Sequence, residues 1–269
     1  MDFETVKYEV SGKVAVVSLN RPERMNAVCE EMYEELETVF DIVEKDPGIY
    51  CVVIKGTPYD KNGVLKYSFC AGADLKKHKE GKRSHGDKRK YIEKAHGLNK
   101  KIVDFDKPVI ACLNGHARGA GAELALCCDF VFIAEEATIA FPETGLGTFV
   151  GGGVTWLLPR LLGSVEAKNL VFTGEVLNGV QAVEKGLAFR SFKMEEIYIK
   201  SVEFANQLCK KAPVSIKYAK KLLNKSWKLD YDTSSALEAD AILSCMDTKD
   251  WQEGIDAFNE KREPVYKGE

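Results

Sequence analysis

The sequence predicts an α/β protein, and three observations support this class. Short apolar runs typical of buried strands alternate with segments whose apolar residues recur at helical spacing. Glycine-rich turns join such strands to helices. After about residue 193 the strand patterns stop and only helical patterns continue. We therefore expect an α/β core over residues 1–193, which holds the active site, and a helical region over residues 194–269.

The elements of the first third are predicted in the order strand, strand, helix, strand. Residues 5–10 alternate between apolar and polar side chains, and residues 13–19 form a β-branched run. Residues 27–44 carry apolar positions at helical spacing. Residues 50–55 form a short apolar strand that we expect to be covered on both faces.

The rest of the chain continues the alternation and then becomes helical. Residues 107–113 and 129–134 are predicted strands, and the helix between them starts at Gly119–Gly121. Three further helices are predicted at residues 195–211, 212–228 and 234–262. This last region carries apolar positions without a sheet of its own to cover, so we expect it to dock on the core or on a neighbouring subunit. Those positions include Leu237, Ile242, Leu243 and Ile255.

Composition excludes several classes of protein. The net charge of -3 over 269 residues argues against a generalised nucleic-acid surface. The amino terminus has no basic-then-apolar export signal, and no uncharged run approaches the ~18 residues that span a bilayer. We expect a soluble, cytoplasmic protein that does not associate with membranes.

Metal chemistry is not expected. The eight cysteines are scattered without a CxxC pair, and the four histidines form no HxH or HxxxH pattern. In a cytoplasmic chain we expect the cysteines to be reduced and buried, and to pack as small hydrophobic residues. Catalysis must then depend on carboxylates, backbone amides or a cofactor carried by the substrate.

Two segments combine carboxylates with glycine-rich turns. Glu123 follows the turn at Gly119–Gly121, and Glu143 precedes Gly145 and Gly147. Glycine-rich turns bring backbone N–H groups close to a ligand, and the first N–H groups of a helix lack intrahelical partners. Two carboxylates with exposed amides suit proton transfer next to an activated carbonyl. Taken singly, Glu123 would be a helix-surface residue and Glu143 an ordinary turn acid.

A third turn, residues 68–75, precedes a strongly basic segment. Alone, its glycine Gly72 indicates a tight turn with a positive φ angle. The segment Lys76 to Lys90 contains eight Lys or Arg in fifteen residues. Such a run is typical of a solvated loop, and its place after a glycine turn also allows contact with an anion.

Several motifs resemble the crotonase family in its enoyl-CoA hydratase branch. The resemblance spans nearly the whole chain, in order. The motifs are L-N-R-P-E-R-M-N-A-V (19–28), F-C-A-G-A-D-L (69–75), N-G-H-A-R-G-A-G-A-E-L-A-L-C-C-D (114–129), F-P-E-T-G-L-G (141–147), L-P-R-L-L-G (158–163) and E-G-I-D-A-F-N-E-K-R-E-P-V-Y-K-G (253–268). The resemblance implies a crotonase-like spiral of ββα units with a carboxy-terminal helical trimerisation region.

The resemblance also implies roles for individual residues. The backbone N–H groups of Ala73 and Ala120 match the oxyanion hole that polarises a thioester carbonyl. Glu123 matches the carboxylate that activates water for attack at C3, and Glu143 the one that handles the proton at C2. The implied reaction adds water across the C2–C3 double bond of an α,β-unsaturated acyl-CoA, or removes it. No cofactor is implied, because coenzyme A is part of the substrate.

The implied partners are the acyl-CoA thioester and further copies of the chain, in a homotrimer or hexamer. Phe258 and Lys261 match the segment that reaches a neighbour's nucleotide in family trimers. The remaining implied CoA-binding residues lie in two loops: Arg24 and Ala27 in the first, and Ala71, Asp74, Leu75 and Lys76 in the second.

The sequence departs from the family pattern near the site. Ala120 replaces a usual glycine, Val150 a usual proline, and Thr155–Leu157 the usual T-Q-R. These changes leave the acyl specificity open. The bulky Trp156 either lies near the pocket and reshapes it or is a core residue, and we favour the core. Two alternatives stay open: hydration or isomerisation of a cyclic or dienoyl-CoA, and RNA binding through the basic segment, as some hydratase relatives do. Retention of both glutamates and the negative net charge favour catalysis.

Overall fold

The computed structural model describes residues 3–76 and 84–269. Its main sheet has six strands in the order β1-β2-β3-β7-β9-β12, and a second sheet has four in the order β11-β10-β8-β6. The remaining pair, β4 and β5, forms a hairpin. The strands are β1 Val6–Ser11, β2 Val14–Leu19, β3 Cys51–Gly56, β4 Tyr59–Lys61, β5 Val64–Lys66, β6 Ser68–Cys70, β7 Val109–Leu113, β8 His116–Arg118, β9 Phe130–Ala134, β10 Thr138–Ala140, β11 Leu177–Asn178 and β12 Arg190–Phe192.

The main sheet is the centre of the core. Strands β2, β3, β7 and β9 pair in parallel and are buried along nearly their whole length. Their Val- and Ile-rich sequences suit strands covered on both faces. Among the described strands of this sheet only β1 runs antiparallel, and a two-residue turn, in which Gly12 has a φ of 60°, joins it to β2. The predicted strands are confirmed, each within a few residues of its expected bounds.

The helices cover the sheets and then form the last quarter of the chain. They are α1 Glu30–Lys45, α2 His85–Asp104, α3 Ala120–Leu126, α4 Val154–Leu162, α5 Ser164–Thr173, α6 Gly179–Glu184, α7 Ile197–Leu208, α8 Pro213–Lys225, α9 Tyr231–Met246 and α10 Lys249–Glu260. Helix α1 buries one apolar face, which includes Met32, Leu36 and Phe40, against the core. Helix α2 starts with a capping box between Ser84 and Asp87.

Two helix boundaries differ from the sequence prediction. Helix α1 begins at Glu30 instead of residue 27, because Val28 forms a β-bridge with Ala73 and is held extended. The single helix expected over residues 234–262 is two helices. Thr248 starts a new helix by accepting a hydrogen bond from the N–H of Trp251, which turns the chain after Met246.

The carboxy-terminal helices are anchored to the core by a buried lysine. Lys220 on α8 donates to Asp129 Oδ2 at 2.7 Å and to the carbonyls of Ile102 and Lys107 at 3.1 and 3.2 Å. The same Asp129 oxygen accepts the N–H of Val109. A charge buried in this way must be paired, so Lys220 fixes α8 against α2 and the sheet. The division at residue 193 stays a prediction, although within the described residues only helices follow β12.

Several expectations about surface and cysteines can be compared with the fold. Ile242 and Leu243 are exposed on α9 and Ile255 on α10, as expected for a face that needs a cover. The cysteines are unbridged, and all except Cys245 are buried. Among the described residues, no helix is both long and apolar enough to cross a membrane.

Candidate active site

The second sheet delivers the candidate residues to one place. Its strands β6, β8 and β10 run parallel, so their carboxyl ends meet at one edge. Strand β6 leads into the turn that holds Ala73, β8 leads through Gly119 into Ala120 and Glu123, and β10 leads into Glu143. This shared edge explains why residues seventy positions apart come together.

The first backbone donor is the amide of Ala73. Val28 clamps the turn from both sides, since its N–H donates to the carbonyl of Gly72 at 2.8 Å and its carbonyl accepts the N–H of Asp74 at 3.0 Å. Between these two bonds, the N–H of Ala73 donates to no acceptor among the described residues. A partly buried, unpaired amide held by its neighbours is a ready hydrogen-bond donor.

The second donor is the amide of Ala120, the first residue of α3. Gly119, with a φ of 50°, turns the chain into the helix, and within residues 3–76 and 84–269 the N–H of Ala120 has no acceptor either. The two turns are in contact: the Cβ of an alanine at Gly72 would lie 2.8 Å from the carbonyl oxygen of Arg118 and 3.7 Å from the nitrogen of Ala120. Two free N–H groups at adjacent turns form a candidate oxyanion hole.

Glu123 lies one helical turn after Ala120 and is 8% exposed. Its Oε1 accepts the N–H of Gly151 at 2.6 Å. Burial raises the pKa of the Glu123 carboxyl, and the hydrogen bond from Gly151 partly offsets this rise by stabilising the charged form. The carboxylate is therefore held in one orientation while its basicity is increased.

Glu143 opens a short 3₁₀ helix, Glu143–Leu146, and is 7% exposed. Its Oε2 is buried without a hydrogen-bond partner in the described part of the chain. Burial raises the pKa of Glu143, the backbone N–H of Glu143 itself partly opposes this rise, and the negative charge of Glu123 adds to it. Gly119 connects the two glutamates, because its carbonyl accepts the N–H of Glu123 and a Cβ on it would lie 2.6 Å from Glu143 Oε1.

The glycines beside the glutamates leave room for them. An alanine Cβ at Gly119 would lie 2.6 Å from Glu143 Oε1, and one at Gly151 would lie 3.0 Å from Glu123 Oε2. Both distances are shorter than ordinary van der Waals contacts. Each carboxylate therefore fits in its place because the neighbouring residue is a glycine without a side chain.

The residues expected to hold CoA surround the first turn. Arg24 is exposed in the short 3₁₀ helix Pro22–Arg24, and Leu75 and Lys76 are exposed beyond Ala73. Asp74 is buried, with its carboxylate bonded to the guanidinium of Arg21 at 2.9 Å.

The other expected CoA contacts lie inside the same pair of loops and at the end of the chain. Ala27 is buried, and its carbonyl accepts a bond from Arg21. The N–H of Ala71 donates to the carbonyl of Met25 at 3.1 Å. Phe258 is 83% exposed at the end of α10, and Lys261 ends that helix with a left-handed backbone conformation. Their contacts with CoA stay predictions.

Sequence reasoning missed Arg21, which ties the two loops together through Asp74 and Ala27. It also missed three residues near Glu123: Gly151, His96 and Asn99. The G-G-G run at 151–153 signals a close backbone approach, but no local pattern marks the two polar residues of α2.

Trp156 was expected in the core, and this was wrong. The side chain is half-buried and lines an open cleft, with the guanidinium of Arg160 4.1 Å from the centre of its ring. The basic segment lies partly at residues 77–83, outside the described residues, so its proposed anion contact stays untested. No group of three or more potential metal ligands occurs in the described ranges.

Comparison with known proteins gives a consistent result. The enoyl-CoA hydratase/isomerase family matches residues 9–269. The short-chain-enoyl-CoA hydratase of Clostridium acetobutylicum is 34% identical over 262 residues, 97% of each chain. The crotonyl-CoA hydratase of Syntrophomonas wolfei is 35% identical over 266 residues, 99% of each chain. The crystal structure of an enoyl-CoA hydratase from Bacillus anthracis superimposes with a TM-score of 0.92 at 31% identity, covering 99% of this chain and 100% of the other.

The fold and the paired carboxylates define an enzyme of the crotonase superfamily. The chain belongs to the enoyl-CoA hydratase/isomerase family, in its hydratase branch, and is a hydro-lyase. The family requires no cofactor beyond the CoA of the substrate. The resemblance found in the sequence motifs, the fold class and the type of enzyme are confirmed.

Proposed function

We propose that this enzyme adds water to the C2–C3 double bond of a trans-2-enoyl-CoA, and catalyses the reverse dehydration, with Glu123 and Glu143 as its acid–base pair. One observation carries the proposal. Two buried, electrostatically coupled carboxyl groups lie at the strand edge that also presents the unpaired amides of Ala73 and Ala120. Water addition to an unsaturated thioester requires this set of groups.

The amides act on the carbonyl. As the nucleophile attacks C3, negative charge moves to the thioester oxygen, and two N–H groups held in place stabilise it without reorganisation. Losing one such donor typically costs about 3 kcal/mol of transition-state stabilisation. The clamp formed by Val28 keeps the N–H of Ala73 in position during this change.

The carboxyl groups move the protons. The ionised Glu123, oriented by Gly151, removes a proton from the attacking water at C3. The neutral Glu143 donates its proton to C2 of the enolate, and dehydration runs through the same steps in reverse. Ionising one carboxyl group raises the free energy needed to ionise the other. The state in which the two groups hold one proton between them is therefore favoured.

The test is a spectrophotometric assay with crotonyl-CoA, chosen because similar proteins carry the names short-chain-enoyl-CoA and crotonyl-CoA hydratase. Loss of the conjugated thioester absorbance, with a product heavier by one water, supports the proposal. Cyclic and dienoyl-CoA substrates belong in the same panel, since products of unchanged mass would indicate isomerisation instead. A protein that shifts RNA at physiological salt and converts no enoyl-CoA would contradict the proposal.

We also propose that the chain forms a homotrimer or a dimer of trimers in the cytoplasm, through the exposed apolar face of α9 and α10. Ile242 and Leu243 are each more than half exposed, and Trp251 is 46% exposed nearby. Exposed apolar surfaces of this extent are typical of interfaces. Light scattering at micromolar concentration should give the mass of a trimer or hexamer, and a monomer would refute the assembly while leaving the reaction intact.

A further inference from the structure

A cleft of about 880 Å³ opens beside Glu123, between α2, the start of α4 and α8. On the side of the catalytic carboxylate it is lined by His96, Asn99 and Gly152. His96 Nε2 and Glu123 Oε2 each lie 3.0 Å from the point that a Cβ on Gly151 would occupy, so they are neighbours across that glycine. One end of the cleft therefore lies next to Glu123.

The wall nearest Glu123 is polar. Asn99 is 5% exposed and its Oδ1 has no hydrogen-bond partner among the described residues. Its Nδ2 lies 2.7 Å from the position of a Cβ on Gly152. This unsatisfied oxygen is an acceptor that a hydrogen-bond donor in the cleft, such as water, can complete.

The far end of the cleft is cationic. Its lining contains Lys100, Lys217, Lys220, Lys221, Lys225 and Lys228. The first three are neutralised, by Asp104, Asp106 and Asp129 respectively. In the ranges that the structure describes, Lys221, Lys225 and Lys228 form no ion pair.

Trp156 gives this end an apolar floor. The Nζ of Lys228 lies 5.6 Å from the centre of its ring, and the guanidinium of Arg160 lies closer. A chain of methylene groups can pack on the indole while a terminal charge meets the ammonium groups. A methyl end at the same place would gain nothing from them.

We infer that the cleft is a subsite for the end of the acyl chain and that the preferred substrate is a trans-2-enoyl-CoA whose acyl group ends in a carboxylate. The inference rests on the proposed hydration and adds the substrate class. Asn99 and His96 line the end of the cleft next to Glu123. Lys221, Lys225 and Lys228 bind the terminal carboxylate, with Trp156 beneath the chain.

The experiment compares pairs of trans-2-enoyl-CoAs of equal chain length, one ending in a free carboxylate and the other in its uncharged methyl ester. A series of increasing chain length locates the reach of the subsite. At the best length we expect kcat/KM for the carboxylate to exceed that for the ester by about tenfold or more, the range of one or two charge-assisted hydrogen bonds. The preference should shrink at high salt.

Substitution of the cleft lysines tests whether the cleft causes this preference. Lys221→Gln, Lys225→Gln and Lys228→Gln should each lower the carboxylate-to-ester ratio, and the triple variant should bring it to near one, while crotonyl-CoA hydration stays unchanged. Lys168→Gln is the matched control, because Lys168 is an exposed helical lysine outside the cleft and should leave the ratio unaltered.

The outcomes separate the two proposals. Hydration of crotonyl-CoA without any carboxylate preference, or a preference that survives the triple lysine variant, overturns the subsite alone. Failure to hydrate any member of the panel overturns the proposed function and the subsite with it. A length-dependent preference lost in the lysine variants supports both.

Discussion

The surroundings of Glu123 and Glu143 differ in how each carboxyl group is held. Glu123 lies on a regular helix and receives the N–H of Gly151 at 2.6 Å. Glu143 lies on a single 3₁₀ turn, and its Oε2 has no partner in the described structure. Both are buried to nearly the same degree. Equal burial with unequal hydrogen bonding therefore gives two chemically different carboxyl groups.

The difference favours one arrangement of charge. A hydrogen bond donated to a carboxylate stabilises its ionised form, while burial with Oε2 unpaired, together with the charge of Glu123, favours the neutral form of Glu143. The pair should then keep the charge on Glu123 and the proton on Glu143. This agrees with the proposed roles of base and acid in hydration, in which the base must be ionised and the acid protonated.

The largest predicted effect is on turnover. Glu123→Gln and Glu143→Gln should each lower kcat by roughly 10²- to 10⁴-fold, the range for loss of a general acid or base. Binding of a CoA thioester should change little, since the backbone amides that hold it are untouched. Steady-state kinetics with crotonyl-CoA and calorimetry with a saturated acyl-CoA measure the two quantities.

Glu184→Gln is the control for this comparison, because Glu184 is an exposed helical glutamate far from both turns in sequence. It should retain full activity. Near-normal hydration by either folded active-site variant would show that the assignment of the acid–base pair is wrong.

A smaller effect is expected from filling the space beside each carboxylate. Gly119→Ala should destabilise the fold by about 1 to 3 kcal/mol, since its Cβ would collide with Glu143 and the backbone φ is positive. Gly151→Ala should cost less than about 1.5 kcal/mol, because the contact with Glu123 is longer and no positive φ is involved. Denaturant unfolding measures both.

Gly12→Ala separates backbone strain from collision. Gly12 also has a positive φ, but a Cβ there would meet nothing within 4 Å. If Gly12→Ala destabilised the protein as much as Gly119→Ala, the contact with Glu143 would contribute nothing. Activity gives a second readout, since only Gly119→Ala should also lower kcat.

The next prediction concerns stability and pH. Glu143→Gln should raise the free energy of unfolding at neutral pH by about 1 kcal/mol or more, because the buried carboxyl must either stay protonated above its ordinary pKa or ionise next to Glu123, and an amide does neither. Glu123→Gln should raise it less, since the Gly151 bond already compensates part of the burial. The enzyme would then lose activity and gain stability through one substitution.

The pH dependence follows from the direction of the shift. The folded-state pKa of Glu143 is raised, so its contribution to stability is complete below the ordinary glutamate pKa and is lost as pH rises through the folded pKa. The advantage of Glu143→Gln over the wild type should therefore vanish in acid and grow towards neutral pH. Thermal unfolding across this pH range would contradict the argument if the difference were constant.

The sequence predicted the strands, the two glutamates and the two amide turns, because each is encoded locally by apolar runs or glycine spacing. It could not predict the neighbours of Glu123 on α2. His96 and Asn99 lie near that carboxylate on the other side of Gly151 and Gly152, a proximity that no local sequence pattern signals. The prediction for Trp156 was wrong for a related reason. An aromatic residue in an apolar stretch has the same sequence pattern whether its side chain faces the protein interior or a cleft.

The smallest effect should come from Ala120→Gly, which tests whether the methyl group at the second oxyanion donor shapes the acyl pocket. The alanine is partly buried and packs against the hydrophobic core. To donate to the thioester oxygen, the N–H of residue 120 needs only to point at it. A helical backbone gives this direction to alanine and glycine alike. We therefore expect the ratio of kcat/KM for crotonyl-CoA and a cyclic enoyl-CoA to stay constant. Stability should fall by about 0.5 to 1 kcal/mol, the usual cost of glycine in a helix. A several-fold change in that ratio would place the methyl group in the pocket instead, and would make Ala120 a determinant of acyl specificity alongside the cleft.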